Sequence, residues 1–391
     1  MNLKNIIWLF LITGCKQTSL DKHFGHMAEF KPNVTIESFD KGFDLTESHY
    51  LFQENIGYPL NTISLEEKLL VFATNKNGKE GYILELDKEG NIRALQTSHL
   101  TNVENIVRCN QNIIACRQVQ SHEVITLADE NGAIQSEISF AEKNILLGPI
   151  AFCYFGKPAI LWTSGDESTS IWFSTIEEGK LASPVLLATL DQIVYEIAIA
   201  PTKNDNMYLA LSMGDDLELR WGELTRSGFS LLTHKSLSPA VGINPVSLGN
   251  SFFVSYVSNS TGNDHSALIL TSIDGDIRDT IASFSQKKSV FTYRIFSQEP
   301  ARLIISLIVK VTDPDSFSII KEKDASNRRI PKIKFEHYIV QYDRDKRSSK
   351  ILAKITPPGM PYHAGYLGKK RLFLIHGMEK PILSIFKIDS N

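Results

Sequence analysis

Tyr82-Ile83-Leu84-Glu85-Leu86-Asp87-Lys88-Glu89-Gly90-Asn91-Ile92-Arg93 reads as a strand, a tight polar turn and a returning strand. Apolar residues alternate up to Leu86, and Asp87 to Gly90 supply turn chemistry. Related stretches follow at 124–134, 172–181, 221–231 and 268–277, with a degraded copy at 338–351. The turn glycines Gly90, Gly132, Gly179, Gly228 and Gly275 lie 42, 47, 49 and 47 residues apart. One four-stranded propeller blade occupies that length, so the repeat predicts an all-β propeller.

Working outward, the first full unit covers about 58–95 and five more follow. In the first five the strands are four to eight residues long and the separators are rich in Gly, Asn, Asp and Ser, while the sixth is irregular, with a long apolar run from Ala301 to Val311. A seventh unit starts at Gly359-Met360-Pro361 and supplies only three strands before Asn391. An open propeller would expose strand edges, and the isolated apolar segment Val34 to Phe39 is the natural fourth strand. Seven blades closed by this N-terminal strand are expected, with six or eight as the alternatives. Gly57-Tyr58-Pro59, Gly148-Pro149, Asn244-Pro245 and Gly359-Met360-Pro361 recur ahead of the inner strands and read as blade-entry devices. The propeller thus takes 33–391, with an insertion near 313–334. There Asp313-Pro314-Asp315 breaks an apolar run, and a charged stretch contains Arg328 and Arg329. That insertion reads either as a solvated loop or as a projection whose two arginines meet an acidic partner.

Hydrophobic and charged contents of 42% and 22% are those of a globular protein, and a formal charge of −3 gives no reason to expect nucleic acid. The first residues differ from the rest. Lys4 precedes an apolar run from Ile6 to Ile12, too short to span a bilayer, which needs roughly 20 residues. It fits a cleaved signal peptide over 1–14. Ile12-Thr13-Gly14-Cys15 resembles the lipobox of bacterial lipoproteins, which implies that Cys15 heads the mature chain and carries an acyl anchor such as palmitate. Residues 15–32 then form the anchor and a polar tether. By the same resemblance, Lys16 after the Cys favours the outer membrane of the bacterial envelope.

Cys109, Cys116 and Cys153 remain, an odd number that cannot all pair within the chain. Buried, unbridged cysteines are the expectation, with a single disulfide through Cys153 as the alternative. A two-residue loop at Gln111-Asn112 would set Cys109 opposite Ile114, not Cys116. His23 and His26 lie in the tether without further ligands, while His363 and His376 fall in the last unit and could approach the channel mouth. No metal or cofactor is expected. No nucleophile elbow, phosphate loop or dinucleotide fingerprint is present. The carboxylates of Asp87 and Glu89, Asp129 and Glu130, and Glu177 and Glu178 recur at equivalent turns, as turn propensity requires.

The hairpins resemble those of bacterial propeller lipoproteins, among them the propeller component of the outer-membrane barrel assembly machinery. That component is a lipid-anchored scaffold of similar length. Its eight blades carry an Ala-x-Asp-x-x-x-Gly-x-x-x-Trp type repeat. Here Asp87-x-x-Gly90 lacks the following Trp, and Glu85 or Thr126 stands where the Ala would be. Anchor, repeat and resemblance together predict an envelope protein that binds another protein or a surface polymer, held to the membrane by its N-terminal lipid. An extracytoplasmic hydrolase or lyase with a site at the channel mouth is the alternative.

Overall fold

A computed structural model describes residues 35–388 except 40–42, 53–55, 66–67, 88, 203–205, 238, 249–250, 260–265, 274–276, 286, 300, 322–326, 357, 368–370 and 378–379. The signal-peptide, Cys15 and tether readings, with His23 and His26, fall outside the described residues. Two strands, β1 (Thr35–Ser38) and β2 (Phe43–Tyr50), precede the first blade. Blade one is β3 (Ile56–Ser64), β4 (Lys68–Asn75), β5 (Gly81–Asp87) and β6 (Ile92–Ser98). Blade two is β7 (Val103–Cys109), β8 (Asn112–Val119), β9 (His122–Ala128) and β10 (Ile134–Phe140). Blade three is β11 (Ile145–Tyr154), β12 (Lys157–Ser164), β13 (Thr169–Glu177) and β15 (Val185–Leu190), with the short β14 (Lys180–Leu181) beside β13.

Blade four is β16 (Val194–Pro201), β17 (Met207–Met213), β18 (Glu218–Thr225) and β19 (Gly228–Leu237). Blade five is β20 (Val241–Leu248), β21 (Ser251–Asn259), β22 (Ser266–Ser272) and β23 (Arg278–Phe284). Blade six is β24 (Lys288–Glu299), β25 (Arg302–Lys321), β26 (Asn327–Asp343) and β27 (Ser348–Thr356). Blade seven is β28 (Met360–Leu367), β29 (Arg371–Gly377) and β30 (Ile382–Ile388), completed by β2. The fold is a seven-bladed β-propeller closed by an N-terminal strand.

The closing strand is not the segment singled out above. Phe43–Tyr50 pairs antiparallel with β30, whereas Thr35–Ser38 adds a fifth, outer strand to blade six by pairing with β27. An outermost strand faces solvent along much of its length, so β2 carries little apolar signal: Phe43 is its one fully buried residue, stacked on Phe386 at 4.8 Å.

The second strand of each blade is covered on both sheet faces by neighbouring blades, which is why β4 (LLVFA), β8 (IIAC) and β17 (YLAL) are continuous apolar runs. The described core divides into seven apolar clusters, one at each junction between successive blades. A propeller has no central core; its stability resides in these wedges.

The third-to-fourth turns explain the repeat. Asp87 Oδ1 accepts the Glu89 and Asn91 amides at 2.9 and 2.8 Å, and Asp129 Oδ1 accepts those of Asn131 and Ala133 at 2.9 Å each. Gly90 and Gly132 close the same turns at φ 86° and 75°, a conformation that disfavours a Cβ. Asp87 and Asp129 are thus turn hardware, while Glu130 and Glu177 pair with Arg108 and Lys157, each at 2.8 Å.

Cys109 of β7 and Cys153 of β11 are joined in a disulfide with Cα atoms 5.0 Å apart, and Cys116 is buried as a free thiol. The bridge replaces the expectation of unbridged cysteines. The hairpin loop falls at Asn110-Gln111, so Cys109 stands opposite Asn112 and its side chain is free to meet the next blade. A loop of this length, 44 residues, is worth about 3–4 kcal/mol by chain entropy. Cys109→Ser with Cys153→Ser is expected to lower the urea midpoint accordingly, and reduction of the wild type should reproduce the shift.

Candidate binding face

Consecutive strands alternate in direction within a blade. The starts of the inner strands, the second-to-third turns and the blade-to-blade connections therefore share one side of the ring, the entry face. The other two turns of each blade share the exit face.

All seven inner strands carry a register shift near their entry ends. Pro59 and Pro149 lie inside such irregularities and Pro361 borders one, where a missing N–H breaks no ladder bond. The residues that follow are Asn61, Asn105, Ile150, Glu196, Asn244, Thr292 and His363.

Several of them reach to a neighbouring blade. Asn61 Nδ2 donates to the Val103 carbonyl at 2.7 Å, and Asn105 Oδ1 accepts the Ala151 amide at 2.7 Å. Glu196 Oε2 accepts the Gly242 amide at 2.7 Å. Burial raises the Glu196 carboxyl above its usual range, opposed by hydrogen bonds from the Ile243 and Gly242 amides.

His363 belongs to this circuit. Its Nδ1 lies 2.7 Å from Thr62 Oγ1 and its Nε2 3.3 Å from Ser64 Oγ, so it joins blade seven to blade one. Burial, aided by the Arg294 charge, lowers its pKa to about 4 and keeps it neutral.

His376 stands apart from this circuit. It sits on the second strand of its blade, 1% exposed, with Nε2 2.9 Å from Ser384 Oγ. Its ring stands 5.7 Å from that of His337 on blade six, which is fully buried with Nε2 2.6 Å from Ser306 Oγ. The Nδ1 atoms of both rings are buried without a hydrogen-bond partner. Desolvation lowers His376 to about 4 and His337 well below its usual value, the latter also through His376. The two rings form a neutral polar seam between blades six and seven. Among the described residues no cluster of three or more metal-ligating side chains occurs.

The insertion is a β-arm rather than a loop. β25 and β26 pair from Arg302↔Asp343 out to Lys321↔Asn327, while pairing with the flanking strands ends at Val311 and His337. Asp313-Pro314-Asp315 falls in a bulge between Asp313 and Phe317, after which the ladder resumes. The arm projects about 30 Å from the entry face of blade six. Arg328 and Arg329 stand opposite Ile320 and Ile319 on its returning strand; their side chains lie outside the described set.

At the arm's base Phe291 and Phe335 are 53% and 40% exposed with ring centroids 4.9 Å apart, and Ile333 is 46% exposed. Glu336 braces this base, accepting from Lys288 at 2.6 Å, Lys354 at 2.8 Å and the Tyr338 hydroxyl at 2.8 Å. Burial would raise its pKa, but those three donors bring it down to about 2. The exposed aromatic pair and the hydrogen bonds between inner strands of neighbouring blades escaped sequence reasoning. The one available signal was the shared place of Asn61, Asn105 and Glu196 just inside the inner strands.

Similar solved structures share this architecture. An oligogalacturonate lyase in complex with manganese matches at 8% identity and TM-score 0.54 over 91% of this chain and 97% of that one. The WD40 domain of coronin from Toxoplasma gondii matches at 9% identity and TM-score 0.52 over 93% and 88%. At such identities the likeness is one of fold. No protein-family model and no curated protein matches the sequence.

Proposed function

We propose that the protein is a lipid-anchored component of the bacterial envelope, outer membrane favoured, whose propeller serves as a non-enzymatic binding scaffold for another protein or a surface polymer. The observation that carries this reading is the arm, a braced two-stranded projection with an exposed aromatic pair at its base. Exposed apolar groups grouped on a rigid platform mark interaction surfaces. The Cys109–Cys153 bridge supports an oxidising compartment outside the cytoplasm. Cys15 is the anchor in this reading, and Arg328 and Arg329 give the arm positive charge suited to an acidic surface.

The test is recovery of the native chain from detergent-solubilised membranes. A stoichiometric envelope partner, absent with Cys15→Ser, is the expected result. A monomeric chain without partner that cleaves a polymer would move the protein to the hydrolases or lyases.

A further inference from the structure

The arm and the N-terminal segment leave the ring at the same corner. β1 begins at Thr35, opposite Thr356 at the end of β27, and β27 ends on the entry face. The chain before Thr35 therefore departs from the entry side of blade six's outer edge, on the blade and the face from which the arm projects. Residues 327–334 of β26 hold four Lys or Arg and no Asp or Glu, in a chain whose formal charge is −3. Beside that positive stretch stand the exposed Phe291, Ile333 and Phe335, with Lys334 also exposed.

Basic residues next to exposed aromatic and aliphatic side chains match the two layers of an anionic membrane surface: charge meets the headgroups, and apolar groups enter the boundary beneath. We infer that the arm docks on the anionic headgroup surface of the membrane that holds the N-terminal anchor. This rests on the reading of Cys15 as the lipidated residue. Nineteen residues separate Cys15 from Thr35, a span of at most ~70 Å. The arm covers about 30 Å, so anchor and arm reach one bilayer from one corner of the ring. Docking in this way turns the exit face, with Asp87, Asp129 and Glu177 in its turns, away from the anionic surface and toward partners.

The test uses the chain from Lys16 onward, which keeps every described strand and lacks both the acyl site and the apolar run. It is sedimented with phosphatidylcholine vesicles with and without phosphatidylglycerol. Salt-sensitive binding to the anionic vesicles alone is expected. It should fall roughly tenfold or more in Arg328→Glu with Arg329→Glu, and fall again in Phe291→Ser with Phe335→Ser. Circular dichroism confirms that these variants, outside the blade cores, remain folded. Equal binding to both vesicles, or binding that ignores the arginine reversal, overturns the proposal. So does arm-dependent binding to soluble polyglutamate that anionic vesicles fail to displace, which would assign the arm to an acidic protein. Palmitate labelling of the full chain is read separately. A chain labelled at Cys15 that ignores vesicles loses the docking and keeps the anchor; an unlabelled chain loses both.

Discussion

Deleting residues 1–52 is expected to abolish folding to a soluble monomer, whereas deleting 1–41 should leave a folded ring. The longer deletion removes β2 and bares the edge of β30 along its whole length. It also strips Phe43 from the wedge between blades six and seven, where it packs with Phe386, Leu372 and Ile355. Truncating such a buried phenylalanine alone costs about 3–5 kcal/mol, and an unpaired strand edge invites association with other chains. The shorter deletion removes β1, whose four pairs with β27 are worth roughly 1–3 kcal/mol together. Size-exclusion chromatography with urea unfolding separates the two cases. Aggregation of the 1–41 deletion, or a monomeric 1–52 deletion, would show that the closing strand has been misplaced.

Acid should weaken the same junction. In the unfolded chain a histidine titrates near 6.5, while folded His376 does so at about 4 and burial holds His337 well below its usual value. Between those values the unfolded chain binds protons that the folded ring refuses. Stability is therefore complete above pH 6.5 and declines as pH falls toward 4, by about 3 kcal/mol for His376 at the acid end. Glu336 adds its own loss only as pH falls below about 4.5 toward 2. Urea midpoints at pH 7, 6 and 5 should fall in that order. His376→Leu should lessen the decline, with His337 and His363 supplying the remainder, at little cost at pH 7, because it also removes a buried nitrogen without a partner. Midpoints unchanged between pH 7 and 5 would exclude the seam as an acid-sensitive element.

What could be read in advance follows from the range of the interactions. The turns at Asp87 and Asp129 are local, since each carboxylate binds amides two and four residues away, so residue type and spacing revealed them and through them the blades. The closing strand was misplaced because Phe43–Tyr50 is mostly polar, and pairing with β30 rather than apolar pattern holds it. The arm was obscured by Asp313-Pro314-Asp315, which halts an apolar run yet sits harmlessly in a bulge. His363 and His376 share a unit in the sequence, but only the stacking of blades decides that one bonds to Thr62 and the other faces His337. The disulfide likewise depends on two neighbouring inner strands, information carried by neither cysteine's surroundings.

The double N-terminal clasp has a temporal consequence. Thr35–Ser38 and Phe43–Tyr50 are made before the strands they pair with, Ala353–Thr356 and Ile382–Ile388. During synthesis or passage across a membrane the early strands must wait for their partners, and a product cut short before Ile382 keeps an open seam. Such a product presents bare edges to proteases and chaperones, while one that includes β30 closes the ring in a single act.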